Sequence, residues 1–293
     1  MTATRARSYL YVPGDNAQML AGAPGRGADA LIVDLEDAVA PSAKDDALAV
    51  TRAFLATAAG MVDPGVELWV RTHDADLTGQ LAAVVCPALT GIVLPKADVE
   101  RASELDDALA VAEAAAGLQT GRTPVIGLVE TARTLRRIDA LAEAPRVIRL
   151  GMGEVDLRAD LGVTVSEGEP ELLFARSAVV TASAAAGLLA PVAPSSTDFR
   201  DVVALRASTE RLVRLGFRAR TAIHPAQVAV INDALTPTAE RVAWAEQIIA
   251  SFASATAQSR GAVVDHEGRM LDVAVVRSAQ DILRRTGGDR GRA

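Results

Sequence analysis

The chain has 293 residues, half of them apolar but only 3% aromatic, so any core is built from Ala, Val, Leu and Ile. Its formal charge of −7, with no basic run, argues against nucleic acid or an anionic membrane surface as partner. A single cysteine, Cys86, read as a small core residue, excludes a disulfide framework, and no window reaches the ~18 uninterrupted apolar residues of a membrane span.

The first residues, MTATRARSYLYVPGDN, hold no apolar run of signal-peptide length, so a cytoplasmic protein is expected. Short β-type runs then recur: SYLYV (8–12), ALIVDL (30–35), ELWVR (67–71), GIVLP (91–95), PVIGLV (124–129), RVIRLG (146–151), LLAPVA (188–193) and TAIHP (221–225). Most are nearly continuous apolar runs, the pattern of strands buried on both faces of a parallel sheet. Ala-rich stretches with helical spacing lie between them. One covers 43–59 behind Ser42 as N-cap, and one covers 99–117 between Asp98 and Gly117. Two more cover 170–187, opened by Pro170, and 201–216. This is the arithmetic of a (β/α)₈ TIM barrel over residues 1–237, with a doubly wound open sheet as the alternative. No strand runs into GxGxxG or GxxxxGK[ST], which weakens the nucleotide-binding forms of that alternative. Residues 238–293 read as an extension: a helix over 238–258, a hairpin around His266-Glu267-Gly268 and a helix over 275–285. A barrel does not need them, so they are expected to form a lid or an oligomer arm.

Barrel chemistry sits on the loops at the C-terminal ends of the strands. There the sequence places Asp34-Leu35-Glu36-Asp37, Arg71-Thr72-His73, Pro95-Lys96, Glu130-Thr131 and Gly153-Glu154-Val155-Asp156. Barrel closure should bring these ends to one pocket. Glu130 and Asp156, with no thiolate and few histidines, suit a hard divalent cation, Mg²⁺ or Mn²⁺. Arg71 offers a planar fork for a substrate carboxylate, and Lys96 is either a substrate contact or a solvated loop residue. Asp34, Asp37 and Glu154, each alone at a strand end, more often cap helices or pair with cations. His224 reads as a turn histidine, and His73 and His266 as surface residues. Two carboxylates also serve glycoside hydrolysis, but nine aromatics leave little to build a sugar platform.

The motifs RSYLYVPGDN (7–16), GADALIVDLEDAVAP (27–41), VRT (70–72), IVLPKAD (92–98), IGLVETA (126–132), GMGEVDLRADLG (151–162), TAIHPAQ (221–227) and GRMLD (268–272) occur in one order along nearly the whole chain. At these residues the chain resembles the citrate lyase beta-subunit-like family of the HpcH/HpaI aldolase superfamily, which includes malyl-CoA and citramalyl-CoA lyases. The resemblance implies a trimeric or hexameric barrel enzyme that cleaves a C–C bond with Mg²⁺. Its products would be an acyl thioester, on CoA or a carrier protein, and a 2-oxo acid. It implies Glu130 and Asp156 as metal ligands, Arg71 as binder of the oxo acid and its developing charge, and Asp272 as a general acid/base on the C-terminal lid. It also implies that Asp34, Glu36 and Asp37 order the metal's waters and ligands. Two features depart from the family pattern: Val155 stands where an acid usually precedes the metal-binding aspartate, and residues 14–25 carry no Lys or Arg. Arg7 and Arg26 are then the nearest candidates for CoA phosphates. An aldolase acting on free acids without CoA, and a subunit that works only with partner proteins, stay open.

Overall fold

Seven of the eight apolar runs become strands close to the expected bounds, because each is long enough to cross a sheet and mostly apolar. The eighth, expected over 221–225, begins two residues earlier, at Ala219–Ala222, and residues 223–225 turn into the next helix. In this computed structural model, which describes residues 6–63, 65–257, 263–264 and 270–286, β1 (Ser8–Pro13), β2 (Ala30–Asp34), β3 (Glu67–Arg71), β4 (Gly91–Leu94), β5 (Val125–Val129), β6 (Val147–Met152), β7 (Leu189–Ala193) and β8 (Ala219–Ala222) close in that order into a barrel. All eight pairings are parallel, and β8 returns to β1 through Thr221 opposite Tyr9. The open-sheet alternative is therefore set aside. Tyr9, Ile32, Trp69, Val93, Ile126, Leu128 and Val192 fill the centre, with the Tyr9 and Trp69 rings tilted at 6.2 Å.

Helices cover the outside: α1 (Ala17–Gly22), α2 (Lys44–Met61), α3 (Leu77–Val84), α4 (Val99–Ala115), α5 (Ala132–Arg136), α6 (Ile138–Ala142), α7 (Glu154–Leu161), α8 (Leu173–Ala185) and α9 (Val202–Leu215). The loops that follow the strands are tied by short polar side chains. Asn16, Asp76, Asp98, Thr131 and Asp201 each accept a backbone N–H from the first turn of α1, α3, α4, α5 and α9 respectively. Ser42 does not act as expected: Pro41–Ala43 form a 3₁₀ turn, and α2 begins without a side-chain cap. Pro170 likewise opens a 3₁₀ turn rather than the α-helix itself. Cys86 is half-buried rather than in the core.

The chain divides into two compact units, residues 1–232 and 233–293, a boundary that falls inside α10 (Pro225–Leu235). The second unit contains α11 (Ala239–Ala257) and α12 (Val273–Thr286), which pack through Ala245, Ile248, Val276, Ala279 and Ile282. It also holds an antiparallel pair, β9 (Val263–Val264) with β10 (Met270–Leu271). His266 and Gly268, at the centre of the expected hairpin, lie outside the described residues.

Candidate active site

The C-terminal rim of the barrel opens into a cavity of about 540 Å³. Asp34, Asp37, Arg71, Glu130 and Asp156 all line it, from the ends of β2, β3 and β5 and the first turn of α7. Strand register explains part of this meeting. Asp34 and Arg71 are direct partners on β2 and β3, so two side chains with opposite charge rise side by side at the rim.

That pairing alters the expected role of both. Arg71 Nε donates to Asp34 Oδ1 at 2.7 Å and Nη2 to Asp34 Oδ2 at 2.6 Å. The fork expected for a substrate carboxylate is thus filled by the protein's own aspartate. On the other side Nη1 donates to Asp37 Oδ2 at 3.1 Å and lies 2.8 Å from Glu36 Oε2, off the line of a hydrogen bond. Arg71 lines the cavity with that fork already engaged. Asp34 also accepts the N–H groups of Glu36 and Ala38, so its four lone-pair positions are filled by the protein. The acids of the DLED segment orient Arg71. Burial opposes the charge of Arg71, but Asp34 and Glu36 outweigh it and hold the guanidinium above its ordinary range.

Lys96 is not a solvated loop lysine. It sits in the left-handed backbone region, φ 45°, after β4. There its N–H donates to Glu130 Oε2 at 2.6 Å and its Nζ to Glu36 Oε1 at 2.8 Å. Lys44 adds a further cation beneath the β2 loop, bonding the carbonyls of Leu35 and Glu36. Burial raises the carboxyl of Glu36 against the pull of Lys96 and Arg71.

Glu130 is buried, with 3% of its surface exposed. Burial pushes its carboxyl up to about 7, opposed by the Lys96 N–H and reinforced by Glu36 and Asp156. Gly153 makes room for it: a Cβ there would lie 2.4 Å from Glu130 Cγ and Oε1. Oε2 accepts from Lys96, while Oε1 accepts from none of the described residues. Asp156 is exposed to the same cavity and likewise engaged by none of them. Two carboxylates that repel each other, with oxygens left over, fit a hard divalent cation completed by water and substrate oxygens. Among the described residues no three acidic, histidine or cysteine groups cluster so as to hold a metal ion by themselves.

Glu154, the acid standing two residues before Asp156, is an ion-pair residue. Arg176 on α8 grips it through Nε at 2.6 Å and Nη2 at 2.8 Å, and Nη2 also bonds Glu169 at 2.8 Å. No side chain caps α7, so the N–H groups of its first turn face the rim beside Asp156 as ready donors to an anion.

Other candidates fall elsewhere. Arg7 precedes β1 and therefore lies at the opposite end of the barrel, where it grips Asp29 at 2.8 Å. Arg26 is exposed on the return connection from α1 to β2. Neither lines this cavity. His224 is a turn residue whose Nδ1 accepts the Ala226 N–H and whose ring stacks on Phe199. His73 Nδ1 accepts the Ala75 N–H in the same manner, and the ring is half-buried rather than at the surface. Asp272 is exposed and its Oδ1 accepts the Val275 N–H at 2.8 Å as the N-cap of α12. Sequence patterning overlooked Tyr11, Met152, Pro194 and Thr221, which also line the cavity. Strand alternation from Tyr9 would have flagged Tyr11.

The profile of the HpcH/HpaI aldolase/citrate lyase family matches residues 7–225. The chain belongs to this family. It is accordingly an enzyme of the lyase class. Among HpcH/HpaI relatives, the mitochondrial citramalyl-CoA lyase of Rattus norvegicus is 30% identical over 94% of this chain and 85% of its own length. The citrate lyase subunit beta of Leuconostoc mesenteroides subsp. cremoris is 31% identical over 95% of this chain and 92% of its own. The solved structure of CitE from Mycobacterium tuberculosis in complex with magnesium, acetoacetate and coenzyme A superposes with a TM-score of 0.75. It is 29% identical and covers 97% of this chain and 100% of its own.

Proposed function

We propose that the chain is a Mg²⁺-dependent C–C lyase acting on a hydroxy-carboxyacyl thioester of the citryl-, malyl- or citramalyl-CoA kind. It cleaves that compound to an acyl thioester and a 2-oxo acid, or joins them in reverse. The observation that carries this is the pair of unclaimed carboxylates, Glu130 and Asp156, on one cavity beside an arginine. The relatives named as citramalyl-CoA and citrate lyases, and the magnesium and coenzyme A bound by the M. tuberculosis protein, support the same chemistry.

Glu130 and Asp156 would hold the cation, with Mn²⁺ as a substitute. A divalent cation bound there polarises substrate oxygens as a Lewis acid. The free amides of α7 would take the oxo-acid carboxylate that Arg71 has no fork left to hold. Arg71, fixed by Asp34, Glu36 and Asp37, keeps its Nη edge toward the cavity and offsets negative charge developing on oxygen. Lys96 keeps Glu130 Oε2 engaged, so that Oε1 is the atom presented. Asp272 would protonate the α-carbon of the thioester enolate in cleavage and remove that proton in synthesis. Its assignment rests on the GRMLD resemblance and its exposed carboxylate. A homotrimer or hexamer belongs to the same proposal.

One observation favours a second reading, an aldolase working on free acids: residues 14–25 have no Lys or Arg, and Arg7 is at the other end of the barrel. The deciding experiment follows product masses from a panel of small acyl thioesters, and of the matching free acids, with glyoxylate, pyruvate or oxaloacetate. Thioester turnover with Mg²⁺ and none in excess chelator is expected. Turnover of free acids alone would replace the thioester reading, and no C–C chemistry in either arm would overturn both.

A further inference from the structure

Among the described residues four that are not glycine hold a positive φ: Asp76, Lys96, Arg146 and Glu169. Glycine adopts that backbone without strain and longer residues do not. In three of the four the side chain has a local task. Asp76 accepts the Gly79 N–H, Arg146 pairs with Glu113 and Asp106, and Glu169 pairs with Arg176. Lys96 differs in what it reaches. Its side chain is 41% exposed and does not line the cavity, so it is no substrate contact. Its Nζ instead donates to Glu36 Oε1 at 2.8 Å.

Glu36 is buried, and that bond is the only hydrogen bond its carboxylate accepts among the described residues. Oε2 accepts none, although Arg71 Nη1 stands 2.8 Å away. A guanidinium has five N–H donors. Arg71 commits three, Nε and Nη2 to Asp34 and Nη1 to Asp37. One N–H on each Nη is left without a protein acceptor among the described residues. Glu36 Oε2 is the acceptor standing nearest to the one on Nη1, at contact distance but off the line of a bond. A turn of that carboxylate about its last torsion would bring the two into line. The ammonium of Lys96 opposes the turn, because it holds Oε1.

We propose that Lys96 is a positioning residue that acts through Glu36: by holding Oε1 it keeps Oε2 from capturing Arg71, so that N–H donors of the guanidinium stay free for oxygen charge that develops in the C–C step. This rests on the proposed lyase reading, in which Arg71 offsets that charge. A donor held in place for charge that appears only in the transition state acts on rate more than on substrate binding. Loss of the ammonium therefore acts on kcat. Metal affinity is spared, because the Lys96 backbone N–H that meets Glu130 survives a change of side chain.

The test compares full-length wild type with Lys96→Met, Lys96→Gly and the double variant Lys96→Met/Glu36→Gln. Each is assayed with Mg²⁺ on the acyl thioester and oxo acid that wild type turns over fastest, and titrated with Mg²⁺ by calorimetry. Lys96→Met should lower kcat by roughly 10–100-fold, the weight of one hydrogen bond to a charged group, and leave KM and the Mg²⁺ Kd within about twofold. Lys96→Gly should lose as much kcat while melting at a higher temperature than Lys96→Met, because it relieves the backbone without replacing the ammonium. Glu36→Gln removes the charge that competes for Arg71, so the double variant should recover most of the kcat lost in Lys96→Met. Wild-type kcat in either single variant, a raised KM with no recovery in the double variant, or a loss of Mg²⁺ affinity that matches the loss of kcat would each overturn the assignment and leave the lyase reading standing. No C–C turnover of any pair by wild type would overturn both.

Discussion

The two ends of the barrel treat charge in opposite ways. At the N-terminal end Arg7 grips Asp29, and Glu113 accepts from Arg146 Nη1 and from the Gly121 and Thr123 N–H groups. Arg149 bonds the Ala190 carbonyl and the Tyr9 hydroxyl. At the C-terminal end Arg71 and Lys96 are held just as firmly, but Glu130 Oε1, Asp156 and the Tyr11 hydroxyl are left without protein partners among the described residues. One end closes its polar groups on each other and stabilises the barrel. The other keeps oxygens and a donor in reserve, which lowers stability and makes ligands welcome.

This contrast can be broken at its most exposed point. Glu130→Gln or Asp156→Asn removes an anionic oxygen at nearly constant volume. Each should reduce C–C turnover by roughly 10³-fold or more and abolish Mg²⁺ binding by calorimetry, with an unchanged circular dichroism spectrum. Full activity of either variant in excess chelator would remove the cation from the mechanism. Asp272→Asn should lower turnover by roughly 10²–10⁴-fold while Mg²⁺ affinity stays the same. If the acid acts across subunits, verified mixed oligomers of Asp272→Asn and Glu130→Gln chains recover activity, whereas delivery within one chain predicts no recovery.

At the other end the prediction changes sign of interest, from rate to stability. Glu113→Ala leaves buried Arg146 and two amides short of an acceptor and should cost about 3 kcal/mol in urea unfolding, with Mg²⁺ affinity of the folded fraction unchanged. Burial works against the Glu113 carboxylate, but Arg146 and the two N–H groups outweigh it and hold it below the usual glutamate range. Its contribution is therefore complete above the unfolded value of about 4.3 and is lost as pH falls through the lower folded value. Glu113→Gln should flatten that acid limb. The smallest effect is expected for Arg7→Ala: thioester affinity within about twofold of wild type, with a modest loss of stability from the half-buried ion pair. A tenfold loss of affinity would place a phosphate contact where the fold puts none.

Seven strands were legible because apolar runs of five or six residues, separated by helix-length gaps, admit few other arrangements. The eighth was legible only to within a few residues, because Arg220 breaks its apolar run. The charged ends of β2 to β5 were legible for the same reason, since a strand that ends in an acid or a base delivers it to the rim. What pairs with what was not. Nothing in DLEDAV says that Asp34 stands in register with Arg71, and that one fact makes its carboxylate a brace for the guanidinium. Arg7 shows that nearness in sequence to the PGD loop is not nearness in space, since a residue before a strand sits at the strand's opposite end. Ser42 failed as a cap because Pro41 drew the chain into a 3₁₀ turn. Tyr11 was overlooked because a tyrosine in an apolar strand reads as core, and only closure of the barrel shows its hydroxyl without a partner.

Gly153 limits how such an enzyme could be re-engineered. The loop after β6 carries Asp156 and the free amides of α7, so it is the obvious place to diversify for new substrates. Yet every side chain has a Cβ, and a Cβ at 153 would meet Glu130 at 2.4 Å. A saturation library at this position should return glycine alone among active clones. New selectivity would have to be sought where the cavity wall lies outside the packed centre and away from Glu130, at Ser195 just beyond β7 and Ile223 beyond β8.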